Sequence, residues 1–151
     1  MPTPPRTLRG FTLIELILVI VITAALAVFA LPKVLDTTQW RLRSFGDDLM
    51  ARHQAMLRLA LQQRRPIVAT ITGTGVGWAY ASGASLGSLA CPATESPCIA
   101  EGGSRTVTFN SGNSGGTATS TAASLTVTVA HGSYSQAYSV QTDTGLIYAL
   151  P

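Results

Sequence analysis

Apolar and polar positions divide this chain into three stretches. From Phe11 to Leu31, 21 residues carry a single charge, Glu15. A run of about 20 apolar residues is the length that crosses a bilayer as a helix. In the second stretch Leu35, Leu42, Leu49 and Met56 recur every seven residues, with Phe45 and Leu59 beside them. Arg41, Arg43, Asp47, Asp48, Arg52 and Arg58 lie mostly around that stripe. The pattern predicts an amphipathic helix with one buried face. Gly46 weakens this helix without excluding it. Pro32 lacks an N–H and crowds the turn before it, which predicts a kink where the apolar run ends. Pro66 restricts the residue before it and places the helix end near Arg64 and Arg65. A helix from Phe11 to Arg65 is roughly 80 Å long at 1.5 Å per residue. The heptad stripe also fits a coiled coil; packing on a sheet is the preferred reading.

After Pro66 the period drops to two. Ile67–Ile71, Gly77–Tyr80, Arg105–Phe109, Ser124–Val129, Ser133–Val140 and Leu146–Ala149 read as strands. His131-Gly132 and Thr142–Gly145 read as turns between them. Strands in series with short connections predict an antiparallel sheet, hence an α+β fold in which the sheet buries the helical stripe. The stretch Ser111–Ser124, nearly all Ser, Gly, Thr, Ala and Asn, reads as a mobile, solvated linker.

Composition sharpens this picture. Hydrophobic residues make up 46% of the chain and charged residues 11%, against about a quarter charged in ordinary soluble domains. Residues 33–65 hold seven basic residues and three acids, whereas everything from Pro66 onward holds Arg105 and three acids. The C-terminal half therefore lacks the basic footprint of a nucleic-acid surface. Cys91 and Cys98 sit close together in a loop-like stretch, which predicts one disulfide and an oxidising compartment.

The start of the chain has the wrong order for an ordinary secretory signal. Arg6, Leu8, Arg9 and Gly10 precede the apolar run, and that run exceeds the usual core of about 7–15 residues. Ala24–Ala27 imitates a small-residue cleavage site and keeps the plain signal as an alternative. A simple membrane anchor gives no account of Glu15, because a carboxylate at membrane depth costs about 2.5–3.5 kcal/mol and implies a partner or a function.

Gly10-Phe11-Thr12-Leu13-Ile14-Glu15 followed by a long apolar helix resembles the prepilin signature of type IV pilins and type II secretion pseudopilins. The resemblance implies that a prepilin peptidase removes the basic leader after Gly10 and that Phe11, the new N-terminus, is N-methylated. It implies that Glu15 stays inside the membrane and serves assembly, and Pro32 matches a proline common in that family's helix. The i,i+4 spacing of Phe11 and Glu15 puts a new amine and a carboxylate on one helix face. Pairing within one chain and pairing between neighbouring subunits both fit. The implied layout is a leader at 1–10, a transmembrane and assembly helix at 11–36, an amphipathic helix at 37–65 and a periplasmic β-sheet head at 66–151. The precursor would sit in the inner membrane as a single-pass protein before joining a pilus or pseudopilus. Its partners would be the prepilin peptidase, other pilin subunits and an inner-membrane assembly platform. The sequence Gln62–Pro66 followed by a strand resembles minor pseudopilins of the GspH/FimT type, and Asp143–Tyr148 resembles pilin-like proteins of the mannose-sensitive haemagglutinin system.

The residues offer no credible catalytic set, cofactor motif or metal site. His53 and His131 read as ordinary surface or boundary residues, and Gly73–Gly77 lacks the lysine and the strand–helix context of a phosphate loop. Asp47 and Asp48 point apart on a helix. The leading functional class is structural. The alternative is a minor pilin whose head binds DNA or an adhesion ligand, with Arg58, Arg64 and Arg65 as the cations available for it.

Overall fold

The computed structural model describes residues 11–34 and 37–151, with the side chains of residues 29–34 left out. The chain divides into two compact units, Met1–Thr37 and Thr38–Pro151. In the first unit one helix, α1, spans Leu13–Val34. In the second, α2 spans Thr38–Gln63 and is followed by the strands. The single helix expected from Phe11 to Arg65 is therefore two described elements, with residues 35 and 36 outside the described ones. α1 continues past position 32 to Val34. The side chain of Pro32, to which the kink was assigned, lies outside the described residues, as does Leu35.

α2 buries Leu42, Phe45, Gly46, Leu49, His53, Leu57 and Ala60. This set follows the 3.6-residue period of a straight helix and not the heptad. A straight helix drifts by about 20° per heptad from a 3.5-residue repeat. The buried seam therefore passes from Leu49 to His53 and Leu57 and leaves Met56 and Leu59 half-buried at its margin. The seam packs on strands of the same chain. The helix stops at Gln63 because Arg64 turns left-handed, with φ 52°. The Arg65 N–H then reaches the Ala60 carbonyl at 3.1 Å and the Arg64 N–H reaches Leu61 at 3.3 Å. These are the two bonds of a Schellman closure, here with arginine where glycine is usual, and Pro66 prevents continuation.

Among the described residues the strands form two antiparallel sheets, where one was expected. They are β1 (Ile67–Thr72), β2 (Gly75–Tyr80), β3 (Ser85–Ala90), β4 (Arg105–Phe109), β5 (Ala118–Thr119), β6 (Leu125–His131), β7 (Tyr134–Val140) and β8 (Ile147–Ala149). The larger sheet has the order β3-β2-β1-β4-β5 and the smaller β6-β7-β8. Alternation holds where it was read: Ile67, Ala69 and Ile71 of β1, Val107 and Phe109 of β4, and Leu125, Val127 and Val129 of β6 face the core. Both sheets close over α2, which contacts β1, β4, β6 and β8.

Two loops bind the sheets to each other. Cys91 and Cys98 form a disulfide with their Cα atoms 5.7 Å apart. Inside this loop Glu95 is buried, takes a hydrogen bond from Thr94 Oγ1 at 2.6 Å, and lies 3.6 Å from Arg41 Nη1 on the first turns of α2. The same Arg41 nitrogen donates to Thr94 Oγ1 at 2.8 Å. Cys98 and Ile99 donate their N–H groups to the Gly73 carbonyl in the β1–β2 turn. Ala100 donates to Thr128, and Ala130 to Cys98, along the free side of β6. The second loop is the stretch expected to be a mobile linker. It contains β5 and a short 3-10 turn at Ser111–Asn113. Thr117 and Asp143 exchange both backbone hydrogen bonds, 2.8 and 2.9 Å, and so tie this loop to the β7–β8 connection. Small polar residues here fold against backbone partners, a signal that composition does not carry.

Gly46 lies in the middle of α2 where Tyr138 of β7 sits on it. A Cβ at this position would fall 2.8 Å from Tyr138 Cζ and closer still to its hydroxyl. Replacing glycine by alanine in an exposed helix gains about 1 kcal/mol. Here Gly46→Ala is expected to lower stability by about 1–3 kcal/mol through overpacking. Urea unfolding of the detergent-solubilised chain reads the change, and an unaltered or raised midpoint would contradict this seat.

Candidate functional site

The N-terminal segment starts its helix by a specific local device. Thr12 is not helical, yet its carbonyl accepts the N–H groups of Glu15 at 3.1 Å and Leu16 at 3.2 Å. Its side-chain Oγ1 accepts the Glu15 N–H at 3.3 Å. Thr12 is thus the N-cap of α1 and Glu15 its third helical residue. Thr-x-x-Glu before an apolar run is the capping-box pattern. The sequence reading missed Thr12 because it weighed Glu15 for charge alone; the spacing of the two residues was the available signal. Glu15 in the first turn also lies at the favourable end of the helix dipole.

From this cap to Val28 the described side chains of α1 offer exposed apolar surface. Phe11, Leu13 and Ile14 are 74–77% exposed, and Leu16, Ile17, Leu18, Val19, Ile20, Val21 and Ile22 are 48–61% exposed. Burying such side chains contributes about 1.5–3 kcal/mol each, so this surface forgoes on the order of 20 kcal/mol if left in water. A patch of this kind marks a protein or membrane contact. Thr23, the polar residue among them, turns its hydroxyl back to the carbonyls of Val19 at 2.8 Å and Ile20 at 3.0 Å. The hydroxyl is thereby satisfied within its own helix, as apolar surroundings require. Among the described residues no helix is long and apolar enough to cross a membrane. The described side chains of α1 end at Val28, short of the full apolar run to Leu31.

The other sequence-derived residues are placed as follows. Gly10 lies outside the described residues, and Phe11 is exposed immediately ahead of the cap. Cys91 and Cys98 are joined and buried, in the loop that ties the sheets. His53 is no surface residue. It is 1% exposed, its Nε2 lies 3.2 Å from the Gly145 carbonyl, and its ring meets Phe109 edge-on at 4.6 Å. Burial pushes it down to about 4, against a smaller upward pull from Gly145. Among the described residues no group of three or more His, Cys, Asp or Glu is arranged to hold a metal ion.

Several cations of the head are engaged. Arg105 donates to the Thr126 carbonyl at 2.6 Å and to Glu101 at 3.2 Å. Burial works against the charge on Glu101, but hydrogen bonds from Thr128 and the Arg105 charge outweigh it and hold the carboxyl below its usual range. Arg52 donates to the Ser88 carbonyl at 3.2 Å, and Arg65 lies over the Tyr80 ring at 4.4 Å.

Residues 6–31 match the family described as the prokaryotic N-terminal methylation motif. The match covers the leader end, the cap, Glu15 and the apolar run, and stops before the head. The match supports a pilin-type precursor of the kind that prepilin peptidase processes. No curated protein and no solved structure matches the chain.

Proposed function

We propose that this chain is a structural subunit, of the minor kind, in a type IV pilus or a type II secretion pseudopilus. Prepilin peptidase cleaves it between Gly10 and Phe11, Phe11 is N-methylated, and the subunit waits in the inner membrane with its head in the periplasm. The observation that carries this reading is the juxtaposition on α1: a methylation motif at its start and exposed apolar side chains from there to Val28. Lipid covers that surface before assembly, and the helices of neighbouring subunits cover it afterwards. The disulfide Cys91–Cys98 agrees with an oxidising periplasm. Of the cations named for a DNA-binding head, Arg65 lies over the Tyr80 ring and Arg58 and Arg64 are exposed. Beyond Pro66 the one cation, Arg105, is engaged by Thr126 and Glu101, so the sheets themselves offer no basic cluster for phosphate.

Intact mass and N-terminal sequence of the full chain, made with and without a prepilin peptidase, test the proposal. The expected result is loss of residues 1–10 and gain of one methyl group on Phe11, only with the peptidase present. Cleavage near Ala27, or none, would overturn it.

A further inference from the structure

We propose that Thr12 is a positioning residue for leader removal: its cap starts α1 at Leu13 and keeps Phe11, the residue after the scissile bond, out of the helix. This rests on the processing reading above and adds a residue to it. A peptide bond inside an α-helix has its carbonyl committed to the N–H four residues on. A peptidase needs that carbonyl free and the chain extended. In this structure the ladder starts at the Thr12 carbonyl, and Phe11 and Thr12 both lie outside the helix. Leu13, Ile14 and the residues beyond them form helix readily, so a boundary is needed at this point. The Thr12 Oγ1 bond to the Glu15 N–H supplies it, since an N-cap side chain takes the donor that a further upstream turn would use. The same cap leaves Phe11, whose nitrogen would become the amine and then the methyl acceptor, ahead of the helix, with the residue largely exposed. Glu15 has been the obvious functional residue here; its backbone N–H is the group that the Thr12 hydroxyl oxygen holds.

The test is the processing rate of the full-length precursor in membranes that contain prepilin peptidase, followed by mass. Thr12→Val keeps the shape and loses the cap; Thr12→Asn changes the shape and keeps a good cap. Thr12→Val is expected to be cleaved about 3- to 10-fold more slowly, the population change that loss of one cap produces. Thr12→Asn is expected at or near the wild-type rate. Thr12→Val at the wild-type rate would overturn the proposal, as would Thr12→Asn as slow as Thr12→Val, which would mean that the peptidase reads threonine itself. An uncleaved wild-type chain is a separate failure: it would strike the processing reading, on which this one depends.

Discussion

Glu15→Ala is expected to leave insertion into the membrane intact and to remove the subunit from filaments almost completely. The reason is the company that α1 keeps at each stage. Glu15 lies three residues after the cap, in the first turn of α1, and no other charge occurs as far as Leu31. Alanine there is a better helix former and improves membrane partition, so anchoring is not at risk. In the proposed bundle of such helices the carboxylate is the one charged group of the apolar run, and the amine that the proposed cleavage creates at Phe11 would be its counterpart. Without it the amine is left unpaired in hydrocarbon and one determinant of axial register is lost. The check is the ratio of subunit in sheared filaments to subunit in membranes, with Glu15→Asp as a partial rescue. Wild-type incorporation of Glu15→Ala would contradict an assembly role.

The head is expected to lose about 3 kcal/mol of stability between pH 6.5 and pH 4, through His53. Burial holds this imidazole at about 4 in the folded chain, against an ordinary 6.5. Between those values the unfolded chain carries a proton that the folded chain refuses. Stability is therefore complete above pH 6.5 and falls as the pH falls toward 4, where the difference is exhausted. Urea midpoints of the detergent-solubilised chain at several pH values in that window measure the slope. His53→Leu should flatten it, at the expense of leaving the Gly145 carbonyl without its partner. A flat profile in the wild type would show that His53 is not buried as described. Gly145 itself has φ 70°, and a Cβ there would fall 3.2 Å from Thr117 Cβ and 3.3 Å from Leu57 Cδ1, so the residue that presents this carbonyl must be glycine.

Much of this fold was legible in the sequence because it rests on strong periods. The two-residue alternation of β1, β4 and β6 and the one-sided stripe of α2 both follow from burial of one face. The proline after Arg65 marked the helix end to within two residues. Other features had weak or misleading signals. β3, Ser85–Ala90, is small and mostly exposed, and its strand character comes from pairing with β2. The Ser–Gly–Thr stretch has the composition of a linker, yet its backbone and the side chains of Ser114, Thr119 and Ser120 are hydrogen-bonded, which composition does not reveal. His53 was taken for a boundary residue by type, although it lies four residues after Leu49 and four before Leu57, on the seam itself. At the N-terminus the motif over residues 6–31 was legible as a pattern, whereas its cap shows only in the spacing of Thr12 and Glu15.

The clasp of Arg41, Thr94 and Glu95 has a mechanical consequence. Tension applied to the unit Thr38–Pro151 at the beginning of α2 would enter it next to Arg41. From there force passes sideways into the disulfide-closed loop, and through its backbone bonds into the β1–β2 turn and β6 at once. Pull is thus divided between both sheets near its point of entry, so that strands are sheared together and are not unzipped one at a time from the end of the helix.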